Sequence, residues 1–134
     1  MKLKSAPNLA PKSDNEVFES FVTTLSQRFK GRTLLIVEMS KIFLEQAPTI
    51  KKILTECPAK KDYESIRFES HKFKSTVNIL GLNELRELAA RTEELYHNGA
   101  PQIDTTELLN NFVNQINVDI EKVEKVIQEI SRSN

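Results

Sequence analysis

Residues 104–131, DTTELLNNFVNQINVDIEKVEKVIQEIS, decide the fold. Leu109, Val113, Ile116, Ile120, Val123, Ile127 and Ile130 recur at alternating spacings of four and three, the pattern of a long helix packed along one seam. Asp104, with Glu107 three residues on, supplies its opening. The same period runs back through the chain. Asn83 is expected to cap a helix carrying Leu85, Leu88, Ala89, Leu95 and Tyr96, which ends at Asn98-Gly99 before Pro101. Asp62 is expected to cap another that runs to Gly81. Earlier still, Leu35, Met39, Ile42 and Phe43, then Ile50, Ile53 and Leu54, form a stripe interrupted by Pro48, which removes one backbone donor and predicts a bent or split helix. Ser13 and Glu16 have capping-box spacing ahead of Phe18, Phe21, Val22, Leu25 and Phe29, a first helix stopped near Gly31.

No stretch alternates with the period of two that marks a half-buried strand, and three glycines are few for a turn-rich β protein. The expected class is all-α. Short connections at Leu82-Asn83 and between Gly99 and Asp104 make sequential helices antiparallel, which predicts an antiparallel four-helix bundle with an additional N-terminal helix across one end. Residues 1–13 mix Pro, Lys and small polar residues and read as a flexible tail, with residues 14–134 forming the domain.

The totals narrow the function. A chain of 134 residues holds one ordinary domain. Its 19 basic and 19 acidic residues cancel, which argues against affinity for nucleic acid by bulk charge. Cys57, the single cysteine, reads as a small filler, offering neither a disulfide framework nor a thiolate cluster. The run Leu34-Leu35-Ile36-Val37 is broken by Glu38 and Lys41, far short of a membrane span, and no apolar signal core opens the chain; a cytoplasmic location is expected. There is no phosphate-cradling glycine loop, paired-histidine metal spacing or nucleophile elbow, so catalysis by the chain alone and a resident cofactor are not expected. The bundle core accounts for the apolar seams, which favours a monomer.

One helical face is unusual. At about 100° per residue, Ile66, Phe73, Val77 and Leu80 cluster on one side of the segment ending at Gly81, and His71 points roughly 150° away, into solvent. Glu64, Arg67, Lys74, Ser75 and Asn78 share its outer face, Lys72 lies further round, and Phe68 and Ile79 stand at the edge, either completing the core or forming a docking patch. A neutral imidazole is a competent nucleophile toward a phosphoryl donor, and Lys74, three residues on, can pair with the oxygens of the product. An exposed histidine cannot supply the metal or the in-line positioning, so a partner must. Residues 51–74 carry seven Lys or Arg against four acids, and residues 104–131 six acids against two lysines, which would steer an acidic partner pocket toward the histidine-bearing helix.

The run His71-Lys72-Phe73-Lys74-Ser75-Thr76-Val77-Asn78-Ile79-Leu80-Gly81 resembles the signature of histidine-containing phosphotransfer (HPt) domains: His, any residue, an apolar residue, Lys, Gly, two small residues, and a Gly ten places after the His. Leu85 and Leu88 fall where that family has leucines, and Glu93 where it often has Gln or Glu near the phosphoryl site. The likeness covers about residues 15–131. It implies that His71 is the phosphoacceptor and Lys74 the stabilising cation, with Arg67, Phe68, Lys72, Ser75, Asn78, Ile79 and Glu93 on the partner-binding surface. It implies as partners response-regulator receiver domains and a hybrid sensor histidine kinase, with Mg in the receiver. Ser75 departs from the family's glycine and puts an extra hydroxymethyl group one turn from His71.

Blander readings stand beside these. A lone helical histidine is more often a solvated or satisfied structural residue than a site. His97 reads as a partner for the negative end of its helix, Lys51 and Lys52 as a solvated face, and Glu93 equally as an ordinary exposed residue. The competing functions are a non-phosphorylated helical adaptor binding through Phe68, Ile79 and the basic face, and a phosphoacceptor domain detached from a larger sensor kinase.

Overall fold

The structure, a computed structural model, describes residues 13–133; of the expected tail over residues 1–13, all but Ser13 lies outside them. Five helices follow one another: α1 (Asp14–Arg28), α2 (Thr33–Lys60), α3 (Tyr63–Ile79), α4 (Asn83–Leu95) and α5 (Thr106–Ser133). Helices α2 to α5 form a closed ring of neighbours, α2 on α3, α3 on α4, α4 on α5 and α5 back on α2. This is the expected antiparallel four-helix bundle. α1 lies across the end where α3 finishes and α2 begins, burying Phe18, Phe21 and Leu25. Lys122 and Lys125 of α5 sit over the Phe21 and Phe18 rings at 4.9 and 4.3 Å.

The helix ends follow the sequence where the caps are local. Ser13 and Glu16 make the reciprocal capping box, and Asp62 accepts from the Ser65 N–H. α3 closes in a Schellman motif: the Leu82 N–H reaches the Val77 carbonyl, the Gly81 N–H reaches the Asn78 carbonyl, and Gly81 has φ +72°. One cap expectation fails. Asn83 is the first residue of α4 rather than its cap; Leu82 holds the cap position and makes no side-chain bond, because burying Leu82 against the core outweighs what an Asn cap would add. Asp104 stands two residues ahead of the α5 start, where its carboxylate accepts from the N–H and hydroxyl of Thr106. α2 runs through Pro48 as one helix and is not split there. Pro48 is exposed, so the bond it removes falls on the solvent side, where water can satisfy the freed carbonyl.

The core also corrects the register of two stripes. On α2 the buried face is Ile36, Ser40, Phe43, Ala47, Ile50, Leu54 and Cys57, while Leu35 and Ile42 are exposed. On α5 the deepest positions are Leu109, Phe112, Ile116, Asp119, Val123 and Val126, with Val113, Ile120 and Ile130 packed at the flank. Both seams have the expected spacing, but small or charged residues (Ser40, Ala47, Asp119) occupy core positions that an apolar stripe passes over. Phe73 of α3 is central: its ring stacks on Phe43 at 5.5 Å and meets Phe112 at 6.1 Å, tying α3 to α2 and α5. Ser70, Ala89 and Thr92 are fully buried and small, which lets α3 and α4 approach closely.

Arg28 joins α1 to α3. Its guanidinium donates to the carbonyls of Asn78 (2.6 Å) and Ile79 (3.2 Å), satisfying acceptors at the end of α3. A Cβ at Gly81 would stand 3.2 Å from the Arg28 side chain on a backbone that disfavours L residues. Gly81→Ala is therefore expected to lower stability by about 1–2 kcal/mol, seen as a reduced urea midpoint with unchanged slope. Asp119 is 2 % exposed, and burial raises its carboxyl above the usual range, against Lys122 and Gln115, which favour the charged form. An acid raised on folding weakens the native state above its folded pKa, and this loss fades as pH falls through it. Asp119→Asn should be more stable than the parent at pH 7, with the gap closing toward about pH 4 in thermal melts.

Candidate functional site

α3 positions the site by rotation. Ile66, Ser70, Phe73, Thr76 and Val77 face inward, and a helix that buries Phe73 turns position 71 outward. The His71 side chain is 57 % exposed. It does not stand alone. Glu93 of α4 reaches across the α3–α4 seam, placing Oε2 2.6 Å from His71 Nδ1 and Oε1 2.7 Å from Lys74 Nζ. One carboxylate, itself 20 % exposed, thus bridges the imidazole and the lysine.

The electrostatics fix the ring's tautomer. Partial burial works against charge on Glu93, but hydrogen bonds and attraction from Lys74 and His71 outweigh it and hold the carboxyl below its usual range. An ionised carboxylate only accepts, so Nδ1 carries the hydrogen and donates it. In the neutral ring this leaves the lone pair on Nε2 of a side chain that is 57 % exposed, the arrangement a nucleophilic imidazole needs.

Of the other expected residues, Arg67 lies on the same side as the site; its guanidinium is paired with Glu64 at 2.6 Å, which together with Glu93 raises its proton affinity, partial desolvation opposing. Lys72 turns the other way, bonded to Glu69 at 3.5 Å and lying over the Phe68 ring at 5.6 Å. Ser75 and Asn78 are exposed, and the Asn78 carbonyl is the one Arg28 holds. Phe68 and Ile79 are 50 % and 42 % exposed, so they do not complete the core. His97 is exposed and lines a cleft with Lys74, Ala90, Glu93, Glu94 and Asn98, continuous with the site. The basic surplus of residues 51–74 is softened by pairing: Lys60 with Glu56, Arg67 with Glu64, Lys72 with Glu69 and Lys74 with Glu93, while Lys51 reaches Asn117 of α5 instead.

The family resemblance put Glu93 near the site, but its bridge to both His71 and Lys74 was not read from the sequence; the signal available for it is the α3–α4 hairpin, in which His71 precedes Gly81 by about as many residues as Glu93 follows it. Arg28 carries no such signal. Among the described residues, no group of three or more His, Cys, Asp or Glu is placed to hold a metal, and no helix is long and apolar enough to cross a membrane.

An all-helical bundle that presents one imidazole, backed by a carboxylate and a lysine, has the form of a phosphocarrier module. The family model for the Hpt domain matches residues 38–132, more than two thirds of the chain, and the chain belongs to that family. Its members are phosphocarriers of histidine phosphorelays rather than catalysts, and deal with receiver domains or kinases. The match begins within α2, so α1 stands outside it. No curated protein and no solved structure matches the chain significantly.

The Glu93 bond makes a direct prediction. At about pH 8, nitrogen NMR should find the His71 ring as the Nδ1–H tautomer, and Glu93→Leu should abolish that preference.

Proposed function

We propose that this protein is an intermediate of a two-component phosphorelay, receiving a phosphoryl group on His71 Nε2 from one receiver-domain aspartate and passing it to another. The observation that carries this reading is an exposed imidazole whose Nδ1 is engaged by Glu93, which leaves Nε2 to react. Neutral imidazole attacks phosphorus through that lone pair, and no base on this chain has to remove a proton first. Lys74, adjacent through Glu93, is within reach of the product's oxygens and offsets part of their charge as a mobile point cation.

The partner supplies what an exposed imidazole lacks: the acyl phosphate, a divalent metal and in-line alignment. Arg67, Phe68, Ser75, Asn78 and Ile79 flank His71 on α3 and form the docking face, with Lys72 at its edge over the Phe68 ring and Phe68 and Ile79 contributing exposed apolar area. Ser75, where glycine is the family's usual residue, narrows the approach and offers a hydroxyl to a phosphoryl oxygen. The protein acts as a cytoplasmic monomer with no cofactor of its own. The same exposed Phe68 and Ile79 favour, as a second reading, an adaptor that binds receivers without being phosphorylated.

Incubation with a phosphorylated receiver domain should yield an acid-labile, alkali-stable adduct that is absent in His71→Gln. Lys74→Ala should slow transfer by about tenfold, corresponding to about 1.4 kcal/mol at the transition state. Full labelling of His71→Gln would remove the relay reading; stable receiver binding without any label would establish the adaptor.

A further inference from the structure

Transfer to and from an imidazole uses one ring nitrogen, but the other decides how readily the ring lets the group go. On loading, a bond forms between Nε2 and phosphorus, the bond from phosphorus to the donor's carboxylate oxygen breaks, and the donor carboxylate departs with the electron pair. The ring then holds the phosphoryl group on Nε2 and a proton on Nδ1. On discharge, an acceptor carboxylate attacks phosphorus and the electron pair of the N–P bond returns to Nε2. With the Nδ1 proton in place the leaving group is neutral imidazole. Once that proton is lost to solvent, the leaving group is an imidazolate anion, which departs far less readily.

We propose that Glu93 holds the Nδ1 proton on phosphorylated His71, so that the ring continues to discharge at pH values where a ring facing only water would have given the proton up. This rests on the phosphocarrier reading above and adds a positioning role for Glu93 that acts through His71. Geometry supports it. Oε2 already lies 2.6 Å from Nδ1, on the side of the ring away from the nitrogen that takes phosphorus. The second oxygen is bonded to Lys74 at 2.7 Å, which keeps the carboxylate charged and fixed in direction.

The charges around the pair set the sign. From α3, Lys74 and Arg67 are cations that favour loss of a ring proton. From α4, Glu94 lines the same cleft with the opposite tendency, and His97 lines it beside Asn98. On α2, Lys52 stands at the level of His71 in the antiparallel register and is exposed. Against these cations Glu93 is, among the described residues, the carboxylate hydrogen-bonded to the ring. Its removal should therefore shift the proton toward loss. An oxygen held at hydrogen-bond distance outweighs charges that act across solvent.

The test needs no cognate partner at its first stage. Wild type and Glu93→Gln are loaded chemically with phosphoramidate, and the His71 ring nitrogens are followed by NMR from about pH 6 to about pH 9. The Nδ1 proton should be lost at a midpoint about one pH unit higher in wild type than in Glu93→Gln, with Glu93→Asp restoring part of the difference. Discharge to a purified receiver domain should decline at correspondingly lower pH in Glu93→Gln. Gln preserves size and shape, and a merely structural role for Glu93 would leave the midpoint where it was. Coincident midpoints, or a phosphoryl group found on Nδ1 in wild type, would overturn the inference. Failure of every phosphorylated receiver to label His71 would instead overturn the relay reading while leaving the chemically loaded titration interpretable.

Discussion

Phe73 is held between the rings of Phe43 and Phe112, and this packing fixes the rotation of α3 about its own axis. A buried aromatic with partners on two other helices cannot turn outward without opening a cavity, at a cost of about 3–5 kcal/mol for complete loss of the ring. Two residues earlier on the same helix, His71 has no choice but solvent. Exposure of the imidazole is thus a consequence of core packing, and the bundle serves as a rigid mount whose interior determines what its surface offers.

Glu93 depends on a second constraint, the short turn between α3 and α4. The Schellman closure at Gly81 returns the chain with no slack, and small side chains at Ser70, Ala89 and Thr92 bring the two helices close. A carboxylate on α4 can then bridge two side chains on α3 that are three residues apart. At that same end of α3, Arg28 ties the helix to α1 through backbone carbonyls rather than side chains. α1 lies outside the span that matches the Hpt domain model, yet it contributes three buried residues and this clasp. The family's common bundle carries the site, and the extra helix braces the end of the element on which the site stands.

The surface around His71 combines paired charge with unpaired apolar area. Most cations there are matched by acids one turn away or across the seam, and exposed pairs of this kind contribute little to stability. Their pairing also mutes the long-range field that a count of lysines implies. Phe68 and Ile79, by contrast, remain in water with Leu35 and Ile42. Desolvation of such groups is a source of affinity that requires no net charge.

The sequence by itself determined the helices, their number and order, the outward direction of His71, and the caps at Ser13, Asp62 and Gly81, because each follows from spacing along one helix or from a turn a few residues long. It also carried the Lys74 spacing and the family's pattern. It misplaced the seams of α2 and α5 by a residue, since Ser40 and Asp119 are buried only through what other helices place against them, and it put a cap on Asn83 that the burial of Leu82 displaced. The turn at Lys61 has positive φ without a glycine to announce it. Only the tertiary structure decided that Glu93 contacts the imidazole and the lysine together, that Lys72 turns away, and that Arg28 closes α3. Those contacts depend on distances between helices, set by the volumes of all the side chains packed between them rather than by any local run of residues.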